Sequence, residues 1–177
     1  REHINIKPKG EKLLLERIDR YRKSNGKPDC IVALSGGRDS CYGLHYIKKV
    51  LGMNPIAFTY DWGFVTDLAR RNAARMCGDL GIEHIIRSPN IFHKRKNVRK
   101  NIEAWLKRPE LGMVPLFMAG DKAFFYHADR LKKETGIKLV FFCTGNDMEE
   151  TPFKYGFAGV KTNKSVNKPL NGIKLTN

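Results

Sequence analysis

Apolar positions along the first ninety or so residues switch repeatedly between a helical period and short continuous runs. From Glu11 to Ser24, Leu14, Leu15, Ile18 and Tyr21 recur at helical spacing, and Asn25-Gly26 ends the run. Cys30 to Leu34 is a short apolar run, which predicts a buried strand. A helix from about Ser40 to Leu51 follows, with Cys41, Leu44, Ile47 and Leu51 inward and Gly52 as its stop. Pro55 to Tyr60 predicts a second strand. Val65 to Leu80 predicts a helix with Leu68, Ala69, Met76 and Leu80 on one side, ended by Gly81. Glu83 to Arg87 predicts a third strand. The strand–helix–strand–helix–strand order implies a parallel sheet with crossover helices on its faces.

The rhythm then changes. Phe92 to Lys107 reads as a basic helix and Pro109 to Pro115 as a linker. Leu116 to Thr135 reads as a longer helix with Phe117, Phe124, Phe125, Ala128 and Leu131 inward. Leu139 to Cys143 is the most apolar strand, which predicts a central place in the sheet. Beyond Phe153 the pattern fades into Gly, Lys and Asn. The expected organisation is a helical lead-in over 1–28, a catalytic domain over 29–157 and a basic tail over 158–177.

The 177 residues suit one domain with a real core, and no apolar run is long enough to span a bilayer. From the charged, polar start no signal peptide is expected. Cys30, Cys41, Cys77 and Cys143 form no Cys-x-x-Cys pair, which argues against a zinc ribbon or a disulfide scaffold. A cytoplasmic protein with reduced thiols is expected. Charge changes the picture more. The net charge is +15, and Phe92 to Arg108 holds seven Lys/Arg against one acid. Such a surface suits an anionic partner, or is simply a solvated basic face.

The chemistry concentrates where the first strand ends, at Ser35-Gly36-Gly37-Arg38-Asp39-Ser40. Two glycines leave no side chain between backbone and ligand and can take left-handed conformations. The N-terminal amides of the next helix and its dipole then make a phosphate site. Ser35 and Ser40 can add hydroxyl donors and Arg38 a charge. Asp39 fits as a helix cap, an organiser of the loop amides or a magnesium ligand.

Ser-Gly-Gly-x-Asp-Ser between a buried strand and a helix resembles the signature of the PP-loop ATP pyrophosphatases. The resemblance implies the adenine-nucleotide alpha-hydrolase-like fold: an open parallel sheet of order 3-2-1-4 with helices on both faces. The first and fourth strands would then be neighbours at the switch point, bringing Thr144 to Glu150, with Gly145, Asn146 and Asp147, over the ATP. It also implies that the backbone at Thr59, Tyr60 and Asp61 lies near the adenine and α-phosphate. Asp61 is a candidate for polar or magnesium contact, or a cap of the turn before Val65. Asp39, Asp61 and Asp147 are the candidate magnesium ligands. The implied activity is ATP cleavage to AMP and pyrophosphate through adenylylation of a substrate oxygen, with Arg38, Asp39 and Ser40 as candidate catalytic residues.

From about Asp29 to Phe157 the chain also resembles the N-acetyl sugar amidotransferases of lipopolysaccharide and surface-polysaccharide biosynthesis. The resemblance rests on Asp-Cys-Ile-Val-Ala-Leu-Ser-Gly-Gly-Arg-Asp-Ser, Tyr60-Asp61-Trp62-Gly63 and Arg70-Arg71-Asn72. It implies a nucleotide-linked N-acetyl sugar as acceptor and ammonia from a partner glutaminase. Arg70, Arg71 and the basic segment would face the sugar nucleotide's phosphates or the partner. Lys122 and His127 are candidates for the acceptor wall. The alternatives are a tRNA-modifying PP-loop enzyme, favoured by the charge and with Cys143 as a conceivable sulfur carrier, and a non-catalytic adenine-nucleotide-binding module.

Overall fold

The structure, a computed structural model, describes residues 10–109 and 121–143. The chain divides into two compact units, one containing Asn5–Arg87 and His127–Thr144, the other containing Ser88–Tyr126. The first carries a four-stranded sheet, β1 (Cys30–Ala33), β2 (Pro55–Tyr60), β3 (His84–Arg87) and β4 (Leu139–Phe142), in the order β3-β2-β1-β4. Every pairing is parallel, and Cys30 stands opposite both Pro55 and Leu139.

Right-handed crossovers explain the layering. From β1 to β3 the chain steps the same way across the sheet, through α2 (Arg38–His45) and α3 (Asp67–Leu80), so both helices lie on one face. There Cys30, Val32 and Leu34 pack with Leu44, Ile47, Ala73 and Cys77, and Ile18 of α1 (Glu11–Asp19) joins the same core. The lead-in helix is thus built into the sheet unit. The step back to β4 follows α5 (Asp121–Thr135), which serves the other face: His127 stacks on Tyr60 with ring centroids 5.0 Å apart. Ala128 and Leu131 beside it are buried. Alternating strand residues thereby meet helices above and below.

Local signals set the boundaries. Thr66 caps α3 by accepting from the Ala69 amide at 3.2 Å, and Gly81 ends it in the left-handed conformation. Asn90 caps α4 (Ile91–Lys107) through the His93 amide at 3.1 Å. α2 does not run on to Leu51 as an α-helix; its last turn, Tyr46–Val50, is π-helical, and the Leu51 amide donates to the Tyr46 carbonyl at 2.9 Å. Among the described residues no helix is long and apolar enough to cross a membrane.

Two inward assignments and one position in the sheet change. Leu68 is 63 % exposed, because the buried stripe of α3 runs through Ala73 and Cys77, with Met76 and Leu80 partly buried. Leu68 lies a quarter turn or more off that stripe, so small residues, not the largest apolar one, meet the sheet. Phe125 is 51 % exposed, while the neighbouring His127 faces Tyr60. Finally, β4 is half-buried and ends the order of described strands rather than occupying its centre. Apolar composition reports what covers a strand's faces; the number of hydrogen-bonded neighbours is a property of its backbone edges. The helix predicted from Leu116 is described only from Asp121, and the tail expected over 158–177 lies outside the described residues.

One contact ties α2 to the end of β4. A Cβ added at Gly43 would stand 2.3 Å from the Cys143 Sγ and 2.4 Å from its Cβ. Gly43→Ala is expected to lower stability by about 1–3 kcal/mol, as overpacking does. Thermal melts check this, and adding Cys143→Gly is expected to recover most of the loss.

Candidate functional site

The glycine loop leaves β1 at its carboxyl edge, between β2 and β4, where the direction of winding reverses. Gly36 takes φ +77° and lies against α3: its missing Cβ would fall 2.0 Å from the Ala69 carbonyl oxygen. The Asn72 side-chain amide donates to the Gly36 carbonyl at 3.3 Å. Gly37, expected to share the left-handed role, is extended at φ −81° and serves as N-cap of α2. An added Cβ there would meet Ser35 Oγ at 3.4 Å, an ordinary contact, so neither the backbone nor the protein's packing demands glycine at this position.

The hydroxyls form a closed set. Ser40 Oγ donates to the Gly37 carbonyl at 3.0 Å and accepts the Ser35 amide at 3.2 Å. Its single proton is therefore spent, so in the 2.9 Å contact between the two hydroxyls Ser35 Oγ is the donor. Ser35 Oγ in turn accepts from the Gly37 amide at 3.3 Å. The first helical bond is Cys41 N–H to Gly37 carbonyl, 3.0 Å, so the amides of Arg38, Asp39 and Ser40 precede the helix ladder. These three N–H groups, with the dipole behind them, are the donors a phosphate would meet.

Arg38 and Asp39 stand outside this scaffold. The Arg38 side chain is 95 % exposed and, among the described residues, pairs with Asp39 alone, at 3.4 Å. Asp39 is neither the cap of α2, which is Gly37, nor a partner of the loop amides. Of its three expected roles, metal or ligand contact is the one the geometry leaves open.

Along β2 the side chains are largely committed to the protein. Thr59 Oγ1 lies 2.6 Å from the Leu34 carbonyl and 2.7 Å from His84 Nε2. Tyr60 is buried against His127, and burial pushes its hydroxyl pKa up. What this edge offers a ligand is mainly backbone. Asp61 does shape the turn, accepting from the Gly63 amide at 2.9 Å and from Arg70 Nε at 3.0 Å. Arg70 also reaches Asp67 at 3.0 Å, so this arginine, expected to face substrate phosphates, is engaged by two carboxylates.

Burial raises the Asp61 pKa, but the Arg70 hydrogen bonds, the Gly63 amide and the Arg70 charge outweigh it, and the net shift is downward. A carboxylate depressed in the folded state adds stability above its unfolded pKa and loses it as pH falls through the folded value. Asp61→Asn is therefore expected to lower Tm at neutral pH, with the difference from wild type vanishing in acid. Melts between pH 7 and pH 3 check this; a constant difference would exclude the ion pair as its source.

The remaining candidates divide. His127 is half-buried on α5, its pKa lowered by burial and by Arg130 and Arg87. Lys122 is placed only as a backbone position in α5, and Gly145, Asn146 and Asp147 lie outside the described residues. β4 pairs with β1 and ends, at Phe142, on the loop's edge of the sheet. Cys143, weighed as a sulfur carrier, packs on Gly43 with its thiol pKa raised by burial, which disfavours a reactive thiolate. Among the described residues no three His, Cys, Asp or Glu side chains form a metal cage. Sequence reasoning missed the part played by Ala69 and Asn72 in gripping Gly36. The available signal was a small and a polar residue, three apart, at the loop-facing end of α3.

The parallel 3-2-1-4 sheet, with helices on both faces and a glycine loop between first strand and first helix, is the open α/β architecture expected from the sequence. No family model matches the chain. It is 25 % identical over 145 residues to an uncharacterised protein of Methanocaldococcus jannaschii, a match covering 75 % of this chain and 52 % of the relative. The chain thus spans about half the length of the curated relative it matches. Among solved structures it is similar to an NH3-dependent NAD synthetase from Campylobacter jejuni, with TM-score 0.49, 18 % identity, and coverage of 77 % of this chain and 54 % of that one. It is also similar to a predicted subunit of tRNA methyltransferase from Methanocaldococcus jannaschii, with TM-score 0.46, 21 % identity, and coverage of 84 % and 63 %.

Proposed function

We propose that this chain is the ATP-using domain of a PP-loop enzyme that cleaves ATP to AMP and pyrophosphate. One observation carries the reading: the Ser35–Ser40 loop sits at the β1/β4 switch point with Gly36 in a conformation that suits glycine and the first amides of α2 outside the helix ladder. Donors fixed before the reaction suit the charge that accumulates on a departing pyrophosphate. An acceptor oxygen would attack the α-phosphorus, the bond to pyrophosphate would break, and a nucleophile would then displace AMP together with that oxygen. Magnesium, where bound, would neutralise phosphate charge; the exposed carboxylate of Asp39 fits an ion held mostly by phosphate oxygens and water.

For the acceptor, the resemblance described above supports a nucleotide-linked N-acetyl sugar whose amide oxygen is replaced by ammonia from a partner glutaminase. A second reading, a tRNA base as acceptor, is favoured by one feature. Lys94 of α4 is buried, but Arg95, Lys96, Arg99, Lys100, Lys107 and Arg108 are all exposed. A basic face of that kind suits a phosphate backbone.

The test is product analysis with ATP, magnesium and ammonium, in parallel with a UDP-N-acetyl sugar or bulk tRNA. AMP and pyrophosphate are expected with the sugar. Their appearance with tRNA alone would replace the first acceptor by the second. Nucleotide binding without turnover in either arm, with a glutaminase partner supplied, would reduce the chain to a binding module.

A further inference from the structure

The Leu34–Ser35 peptide is the last unit of chain before the glycine loop, and it is held from both sides. Its carbonyl oxygen is 2.6 Å from Thr59 Oγ1, and its N–H donates to Ser40 Oγ at 3.2 Å. The proton positions follow from valence. A carbonyl can only accept, so the one Thr59 hydroxyl proton goes to Leu34. The 2.7 Å contact between Thr59 Oγ1 and His84 Nε2 must then be donated by the histidine, which places a proton on Nε2. Beyond the peptide, Ser40 Oγ donates onward to the Gly37 carbonyl at 3.0 Å.

Every link points the same way: His84 to Thr59, Thr59 to the Leu34 carbonyl, across a planar peptide whose N–H donates to Ser40, and from Ser40 to the carbonyl of Gly37, the N-cap of α2. The chain joins β3, β2, the residue that follows β1, and α2, and Thr59 within it is buried. Aligned hydrogen bonds of this kind polarise one another and resist displacement singly. Ser40 carries the relay into the turn whose amides precede the helix ladder.

We infer that Thr59 and His84 are positioning residues, which fix the Leu34–Ser35 peptide and through Ser40 hold the glycine loop's amides in phosphate-binding geometry. The ligand part of this inference rests on the function proposed above; the relay itself does not. Neither side chain needs to touch the nucleotide. The substitutions that separate positioning from packing are Thr59→Val, which keeps shape and removes the hydroxyl, and Thr59→Ser, which restores it.

Two measurements on the whole chain test this. The first needs no ligand: 15N spectra of the histidine rings and hydrogen exchange of the Ser35 amide. The His84 proton is expected on Nε2, and Thr59→Val is expected to speed Ser35 exchange while Thr59→Ser does not. A proton on Nδ1 alone, or unchanged Ser35 exchange in Thr59→Val, overturns the relay. The second is titration with magnesium pyrophosphate well below Tm. Thr59→Val is expected to weaken binding about tenfold, the effect of one lost hydrogen bond. Thr59→Ser is expected to stay close to wild type. Equal affinity in wild type and Thr59→Val overturns the positioning role. Failure of the wild-type chain to bind pyrophosphate would count against the function, and the relay would then stand or fall on the first measurement.

Discussion

Gly36→Ala is expected to cost about 2–5 kcal/mol of stability, combining left-handed backbone strain with overpacking, and to abolish pyrophosphate binding. At φ +77° any side chain is strained, and here the space is also taken. The three nearest atoms, 2.0, 2.7 and 3.0 Å from an added Cβ, are the carbonyl oxygen, carbonyl carbon and Cα of Ala69. All three are backbone, so no rotamer change relieves the clash; either the loop lifts off α3 or α3 moves. Lifting the loop also breaks the Asn72 hydrogen bond to the Gly36 carbonyl. Gly37→Ala is the control, because its Cβ would meet only Ser35 Oγ at 3.4 Å and its φ of −81° suits any residue. Chemical denaturation and pyrophosphate titration of the pair check the prediction. Similar losses in both would show that the loop responds to any added bulk rather than to conformation.

Asp39→Ala is expected to do the reverse, leaving Tm within a degree or two of wild type and reducing ATP-to-pyrophosphate turnover by about 100-fold or more. The structural half rests on exposure. The Asp39 side chain is 65 % exposed and, among the described residues, pairs only with the still more exposed Arg38, so no fold contact of weight is lost there. The functional half rests on position, in the first turn of α2 beside the amides that would hold phosphate. An acid there repels phosphate unless a cation lies between them. Turnover near wild type in Asp39→Ala would remove this residue from the site. A large fall in Tm would show that the carboxylate supports the loop.

These two neighbours also show which information the sequence held. Strand–helix alternation, two glycines and the resemblance to PP-loop enzymes were enough to anticipate the parallel order and the loop's place at its edge. Which glycine is strained was not legible, because that depends on Ala69 and Asn72 arriving from a helix more than thirty residues away. Leu68 misled for a related reason. Hydrophobicity marks it as core, but the close approach of α3 favours the stripe through Ala73 and Cys77. The sequence offers Thr59 for a backbone contact and Asp61 for either a polar or magnesium contact or a turn cap; in the structure their side chains bond Leu34 and His84, and Gly63 and Arg70. A motif reports which residue types a loop needs; it does not say whether they serve the ligand or the residues that hold it.

The closed hydroxyl set of Ser35 and Ser40 has a kinetic consequence. With both protons already assigned within the loop, an arriving phosphate need not order these side chains, and the amides it meets are already in place. Association should then be governed by encounter, aided by a cationic chain, rather than by a slow rearrangement. Differences in affinity among loop variants should accordingly appear in how long the nucleotide stays, not in how fast it arrives.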